Sequence, residues 1–336
     1  QLHFTPLTPM KILLTGGTGF IGKQLTRTLL RRGWEAILLT RSGQSQIEGA
    51  RAAKGDVTDR ESMRAGMAGA DIVLHNAGWY ELGIASSAKA KMQAVNVSGT
   101  ENVLSLAAEL KIPRIVYTSS TTALGDTGGQ TVDESFARIK QPITFYEQTK
   151  TSAHAIALRY QQGGAPVIIA CPAQAIGPGD HSAFGYFARL YVRGLLPPVI
   201  WVPEGAFTFG HVDDVAEGIA LAAEKGRVGQ TYFVAGEPPL TLRELVKVWK
   251  KAVGGIPPFI WLPRPLAVAQ GIMVEPLLRL FGVSAFISRE TVESSFVSFR
   301  YSSAKARREL GWSPRSAEQA WVDTLRAEKN RVNSKQ

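Results

Sequence analysis

The 336-residue sequence predicts an α/β fold built on a parallel sheet covered on both faces. Two observations predict it. Short, continuously apolar runs alternate with longer helical patterns through the first half, as strands buried between crossover helices require. A glycine-rich turn then joins the first apolar run to the first helical one. The length suits one large domain, or a domain with a smaller lobe.

The elements follow in order. Lys11–Thr15 reads as a buried strand and Phe20–Arg32 as a helix stopped by Gly33. Glu35–Thr40 is a second strand, a helix starts near Arg60, and Ala70–Asn76 is a further strand. Val95–Leu110 reads as helix, Arg114–Ser119 as strand, Phe145–Gln162 as helix and Pro166–Cys171 as strand. Pro172–Gly205 is rich in Pro and Gly and less regular. Val212–Lys225 reads as helix and Gln230–Ala235 as strand. Thr241–Val253 is a helix opened by a capping box, in which Thr241 and Glu244 satisfy free amides reciprocally. Prolines break Ile256–Pro265, and Leu266–Ile287 is strongly apolar around Glu275 and Arg279.

Composition excludes several classes. Apolar residues make up 45% and charged residues 20%, which rules out a disordered or fibrous chain. A single cysteine, Cys171, rules out an internal disulfide framework and a multi-cysteine metal site, so no metal is expected. It fits a reducing compartment, and a cytoplasmic location is expected. The longest uncharged run, Tyr160–Gly179, is interrupted by Gly and Pro, so no membrane span is expected. Lys and Arg number 38 against 28 Asp and Glu, a net charge of +10. Half of the excess lies in Arg300–Gln336, read as a solvated helix and tail. No nucleic-acid-binding motif with interleaved aromatics is present. Contact with a membrane surface through Leu266–Ile287 and the basic tail is the weaker reading, against a lid or dimer-facing helix. Residues 1–9 and 326–336 are expected to form flexible ends.

The strongest local motif is Thr15-Gly16-Gly17-Thr18-Gly19-Phe20-Ile21-Gly22, between a strand and a helix. Gly16 permits the tight turn, Gly19 leaves room for a pyrophosphate, and Gly22 lets the helix pack near the sheet. The helix N-terminus offers unpaired amides and partial positive charge to phosphates. The second strand ends in Thr40-Arg41-Ser42, where an NAD site usually carries an acid. Arg41 suits a 2′-phosphate, so NADP(H) is favoured over NAD(H). Asp56, before Val57, either accepts from the adenine amino group or caps the helix near Arg60. Small residues of His75-Asn76-Ala77-Gly78 suit close cofactor approach, with His75 structural.

Tyr146 and Lys150, at i and i+4, face the same way on a helix. A nearby ammonium and a cationic nicotinamide would lower the tyrosine's pKa toward neutrality. Lys150 also suits the nicotinamide ribose. A hydroxyl of Ser119-Ser120-Thr121, at a strand end, is placed to bind the reacting oxygen.

Taken together, these motifs resemble those of extended short-chain dehydrogenase/reductases. The likeness extends to Asn96 in Asn-Val-Ser-Gly-Thr-Glu-Asn-Val-Leu, to Cys171-Pro172 through Gly179, and to His211-Val212-Asp213-Asp214. It runs from about Met10 to Pro314 and implies a Rossmann doubly wound sheet with a smaller, mostly C-terminal substrate lobe. The Rossmann part would span 10–171 with 206–235 returning to it, and the lobe 172–205 and 236–325. The resemblance makes Ser120 the best match to the catalytic hydroxyl, with Ser119 and Thr121 still open. It implies Tyr146 as general acid or base, Lys150 as its tuner and ribose ligand, Asn96 as a further catalytic residue, and Pro172 at the cofactor. It implies a sheet-supporting His211, with Asp213 or Asp214 as a helix cap. It also implies a homodimer through two helices. Many relatives carry Arg where Cys171 stands, which reads as a small buried residue.

Two enzyme classes share this scaffold. Reductases resembling dihydroflavonol 4-reductase consume NADPH, and Arg41 with the Val-Tyr-Thr-Ser-Ser strand favours them. Sugar-nucleotide epimerases and dehydratases are redox-neutral. Epimerase-like proteins of hopanoid pathways share the His211–Ala216 and Gly236–Glu244 wording, which keeps that class open. Phe184, Tyr186, Phe187, Tyr191 and Trp201, with Trp79 and Tyr80, suggest an apolar or aromatic small-molecule substrate, or simply core. Arg189, Arg193 and Arg300 are the cations a sugar diphosphate would need. A dinucleotide-binding sensor without turnover is disfavoured by the retained Tyr146 and Lys150.

Overall fold

A computed structural model describes residues 9–201, 204–281 and 287–334. The strands are β1 (Lys11–Thr15), β2 (Glu35–Thr40), β3 (Arg51–Lys54), β4 (Ile72–His75), β5 (Ile115–Thr118), β6 (Val167–Pro172), β7 (Gln174–Ile176), β8 (Val199–Trp201), β9 (Ala206–Phe207), β10 (Phe209–His211), β11 (Thr231–Val234), β12 (Leu240–Thr241) and β13 (Ile260–Leu262). The helices are α1 (Phe20–Arg31), α2 (Arg64–Met67), α3 (Ser86–Gln93), α4 (Gly99–Glu109), α5 (Phe145–Gln162), α6 (Ala183–Val192), α7 (Val212–Lys225), α8 (Leu242–Val253), α9 (Arg264–Leu280), α10 (Arg289–Ser294), α11 (Ala304–Leu310) and α12 (Ala317–Asn333).

Among the described residues, seven parallel strands form one sheet in the order β3-β2-β1-β4-β5-β6-β11. It is the doubly wound Rossmann arrangement that the apolar runs predict. Alternate residues of the inner strands enter separate cores. Ile12, Leu14, Leu74 and Val116 pack with Leu25 of α1 and Ile219 of α7. Leu13, Val73, Ile115 and Tyr117 pack with Val103 of α4 and Ala153 of α5. Strand order reverses between β1 and β4, with β2 and β3 added on one side and β4, β5, β6 and β11 on the other, and a crevice opens there at the strands' carboxyl ends.

Several elements differ from the sequence reading. The helix over Val95–Leu110 starts earlier, as α3, and runs through a π-helical turn at Ala94–Ser98 into α4. β3 is an exposed edge strand of Arg-Ala-Ala-Lys, with no apolar run to announce it. Near Arg60 the chain makes a short 3-10 turn, Glu61–Met63, before α2.

The expected lobe over 236–325 is split. Ala306, Leu310 and Trp312 bury against the α7 side of the Rossmann sheet instead, because their apolar stripe has its complement there. The expected flexible end at 326–336 is helical to Asn333. Leu325 is buried, and buried Glu328 accepts from the Gly179 amide at 2.7 Å. Residues 1–8, 335 and 336 of the expected flexible ends lie outside the described residues. The capping box is present, with Glu244 N donating to Thr241 Oγ1 at 3.1 Å and Thr241 N to Glu244 Oε2 at 2.8 Å.

Candidate active site

The crevice is a cleft of about 1130 Å³. Its floor is the turn between β1 and α1. Gly16 has φ +69°, and a Cβ there would stand 2.7 Å from the Ala77 backbone. Only glycine fits both constraints. A Cβ on Gly22 would reach 1.9 Å from the Gly16 carbonyl oxygen. Gly22 therefore lets α1 close onto the turn itself, rather than onto the sheet as the sequence suggested. Gly16, Thr18, Gly19, Phe20 and Ile21 line the cleft. Among the described residues no side chain caps the N-terminus of α1, and its first turn holds no acid. Its unpaired amides therefore remain for a phosphate.

Arg41, Ser42, Asp56 and Val57 line the cleft further along. Arg41 is exposed and has no ion-pair partner among the described residues. Asp56 caps no helix. Its Oδ1 accepts from the amide and hydroxyl of Thr58 at 2.9 and 2.8 Å, while Asp59 serves the Ser62 amide. The Gln44–Gln46 stretch also lines the cleft, and no residue pattern announced it. Ala77 and Pro172 border the middle. Asn76 Oδ1 and Thr118 Oγ1 are buried without a hydrogen-bond partner among the described residues, and both residues line the cleft. An open phosphate cradle, a free arginine and two orphaned polar atoms fit a dinucleotide.

Tyr146 and Lys150 come together one turn apart near the start of α5, whose N-cap is Thr144. Both side chains line the cleft. Ser120 N-caps the 3-10 turn Thr121–Ala123, its Oγ accepting from Thr122 N at 3.1 Å, and it lines the cleft beside Tyr146. Ser119 also borders the cleft, but its hydroxyl is engaged by His154 Nδ1 at 2.8 Å, and Thr121 is buried, while Ser120 is the one that hydrogen-bonds Tyr146. Of the three hydroxyls, Ser120 is therefore the one presented to Tyr146.

Burial pushes the Tyr146 pKa up, opposed by a hydrogen bond from Ser120. The expected lowering by Lys150 is not a feature of the polypeptide alone. Burial brings the Lys150 ammonium down to about 8, and its Nζ donates to the Thr118 carbonyl at 3.4 Å. Arg138 holds the turn against α5. It donates to the Ala123 carbonyl at 2.9 Å and pairs with buried Glu147. No local pattern marks Arg138 in the sequence, because it and Glu147 are nine residues apart across an irregular stretch.

Asn96 does not line the cleft. Its side chain is buried in the π-helical turn, accepting from Trp79 N at 2.7 Å and donating to Trp79 O at 2.9 Å and Thr149 Oγ1 at 2.9 Å. Every polar atom is thus spent on tying the Trp79 loop to α5, and Asn96 is a positioning residue. His75 bonds Thr15 Oγ1 at 2.7 Å and Thr100 Oγ1 at 3.1 Å, stacked on Tyr117, and burial lowers its pKa to about 3. Burial pushes the Cys171 thiol up to about 12, an inert state. His211 is itself the N-cap of α7, accepting from Asp213 N at 3.3 Å. Neither Asp213 nor Asp214 caps the helix, and Asp214 binds Arg315 at 2.8 Å. Among the described residues no cluster of His, Cys, Asp or Glu could hold a metal.

A second cavity of about 360 Å³ adjoins the cleft, and Tyr80 and Tyr146 line both. The two rings meet edge to face at 4.9 Å between centroids. The aromatic residues divide between two roles. Tyr186, Phe187 and Trp201 line this cavity. Tyr191 packs on Trp249 in the core, and Phe184 bridges cavity and core against Phe209 and Trp321. Glu147 is the one charged lining residue among those described, and Arg138 neutralises it. Arg189, Arg193 and Arg300 line neither cavity.

Residues 12–235 match the model of the NAD dependent epimerase/dehydratase family. The chain is 31% identical over 326 residues to a 4-hydroxy-2-methyl-3-oxo-4-farnesyl-3,4-dihydroquinoline-1-oxide ketoreductase of Stigmatella aurantiaca, covering 94% of this chain and 96% of that one. It is 30% identical to sterol demethylase protein B of Methylococcus capsulatus, covering 94% of this chain and 97% of that one. The crystal structure of gox2253 superposes with a TM-score of 0.80 at 32% identity, covering 96% of this chain and 98% of that one.

Proposed function

As a member of the NAD dependent epimerase/dehydratase family, and an NAD(P)-dependent extended short-chain dehydrogenase/reductase, this chain, we propose, uses NADPH to reduce a carbonyl on a small, largely apolar molecule. One observation carries the reading: the cavity that meets Tyr146 is walled by aromatic and aliphatic side chains and offers no cation among the described residues. A sugar diphosphate would leave its charge unpaired there, at a cost of several kcal/mol. The farnesylated ketone named for one relative and the sterol named for another are of the chemistry such walls accept. Arg41, exposed and unpaired among the described residues, supports NADP(H).

When bound, the nicotinamide cofactor supplies a hydride to the carbonyl carbon. Gly16, Gly19 and the α1 amides would hold its pyrophosphate, and Arg41 its 2′-phosphate. Ser120 and Tyr146 would both donate hydrogen bonds to the carbonyl oxygen, and Tyr146 would pass its phenolic proton to that oxygen as the alcohol forms. Burial keeps the Tyr146 hydroxyl protonated, the form that reduction consumes. Lys150, at about 8, is mainly an ammonium at neutral pH and would orient the ribose. The expected setting is the cytoplasm, as a homodimer through helices of the Rossmann domain. No helix among the described residues is long and apolar enough to cross a membrane.

Three measurements test this reading. Freshly purified protein should release little nucleotide on denaturation and should consume NADPH with apolar ketones. Tyr146→Phe should lower kcat about 10²–10⁴-fold with NADPH affinity unchanged. Near-stoichiometric bound NAD⁺ without NADPH turnover would instead identify a redox-neutral epimerase or dehydratase.

A further inference from the structure

The helix α9 has two apolar faces, and only one is covered. On the covered face Leu278 lines the apolar cavity, and Ala267 and Gly271 are buried, while Gln270 sits at its border and accepts from Trp201 Nε1 at 2.8 Å. On the adjoining face Leu266, Met273, Leu277 and Leu280 recur at helical spacing and are 58%, 68%, 57% and 79% exposed. Phe281 continues the row at 77%. The strand β13, just before α9, and its approach add exposed Ile256, Phe259 and Ile260. Leu195 both lines the apolar cavity and is 63% exposed, so it marks where that cavity opens. Single exposed apolar residues are ordinary on a soluble surface, but a continuous row along a helix marks an interaction face.

The charges around this face are mostly positive. Arg264 opens α9, and Arg243 stacks on Trp261 of β13 at 4.7 Å. Lys247 and Lys250 follow Arg243 along the exposed side of α8, and Arg193 stands exposed beside the Leu195 loop. Of the nearby acids, Glu275 and Glu204 are paired to Arg279 and Arg243, and Glu244 is held by Thr241 in the capping box, which leaves Arg264, Lys247, Lys250 and Arg193 in excess. An anionic surface complements this rim. A second copy of the chain does not, because a two-fold contact would bring rims of the same sign together on molecules of net charge +10.

We propose that α9 and β13 form a peripheral membrane-docking face, which seats the mouth of the apolar cavity on an anionic bilayer. The apolar row enters the boundary between headgroups and acyl chains, and the cations meet lipid phosphates. The helix lies in the plane of the surface, its 17 residues spanning about 25 Å. An apolar substrate then passes between bilayer and Tyr146 without crossing water. Docking does not depend on which reaction follows.

The test uses the full chain with vesicles of phosphatidylcholine alone or mixed with phosphatidylglycerol. Co-sedimentation is expected with the anionic vesicles and should weaken as salt rises. Combining Met273→Glu with Leu277→Glu should lower vesicle partitioning at least tenfold, with thermal midpoint and NADPH affinity unchanged. If that pair impairs folding, Leu280→Glu with Phe281→Glu repeats the test at the exposed end of the helix. Three results overturn the proposal: no partitioning onto anionic vesicles, partitioning that folded variants retain, or a dimer that the substitutions dissociate. The last would assign the face to a second copy.

Discussion

Arg41 shows how far a single side chain can be read. Its place after β2 follows from the strand pattern, and the structure leaves it exposed on the cleft wall with no ion-pair partner among the described residues. Arg41→Glu should weaken NADPH binding about 10–100-fold, the worth of a charge-assisted hydrogen bond, while NADH binding changes little. Titration of cofactor fluorescence measures both, and equal losses for the two nucleotides would refute 2′-phosphate recognition. Tyr146 and Lys150 were legible because helix geometry alone puts i and i+4 together. Asn96 was not. Its amide is consumed by the backbone of Trp79, seventeen residues away, and no local pattern reports a contact of that kind.

At the scale of elements, long apolar strands and capped helices were the readable parts. The capping box at Thr241 is the clearest case, since sequence spacing and geometry coincide. Thr241→Ala removes one half of the box and should cost about 1 kcal/mol, lowering the thermal midpoint by a few degrees, with kcat per folded molecule intact. Calorimetry would detect it, and an unchanged midpoint would mean β12 pairing holds the helix start without the cap. The edge strand β3 was not readable, because an exposed strand needs no apolar run. The π-helical turn before α4 was also hidden, since it is held by the tertiary contacts of Asn96.

For the whole molecule, buried histidines tie stability to pH. Burial holds His75 near 3 and His154 near 4, against an ordinary value of 6.5. The unfolded chain therefore binds more protons than the folded one between about pH 4 and 6.5. Stability rises with pH across that window and is lost as pH falls, by up to about 1.4 kcal/mol per pH unit for each histidine. Urea unfolding at stepped pH measures the slope. His154→Gln, which can keep a hydrogen bond to Ser119, should reduce it by about one proton, and an unchanged slope would place the acid sensitivity elsewhere. The sequence by itself determined the alternating α/β order, the phosphate turn and the Tyr146–Lys150 pair, because each rests on periodicity or on groups a few residues apart. Tertiary structure alone decided that Ser120 faces the site while Ser119 faces His154, that α11 returns to the Rossmann sheet, and that the cavity walls carry no cation among the described residues. Those outcomes depend on which distant surfaces bury against each other, and burial is a property of the packed chain.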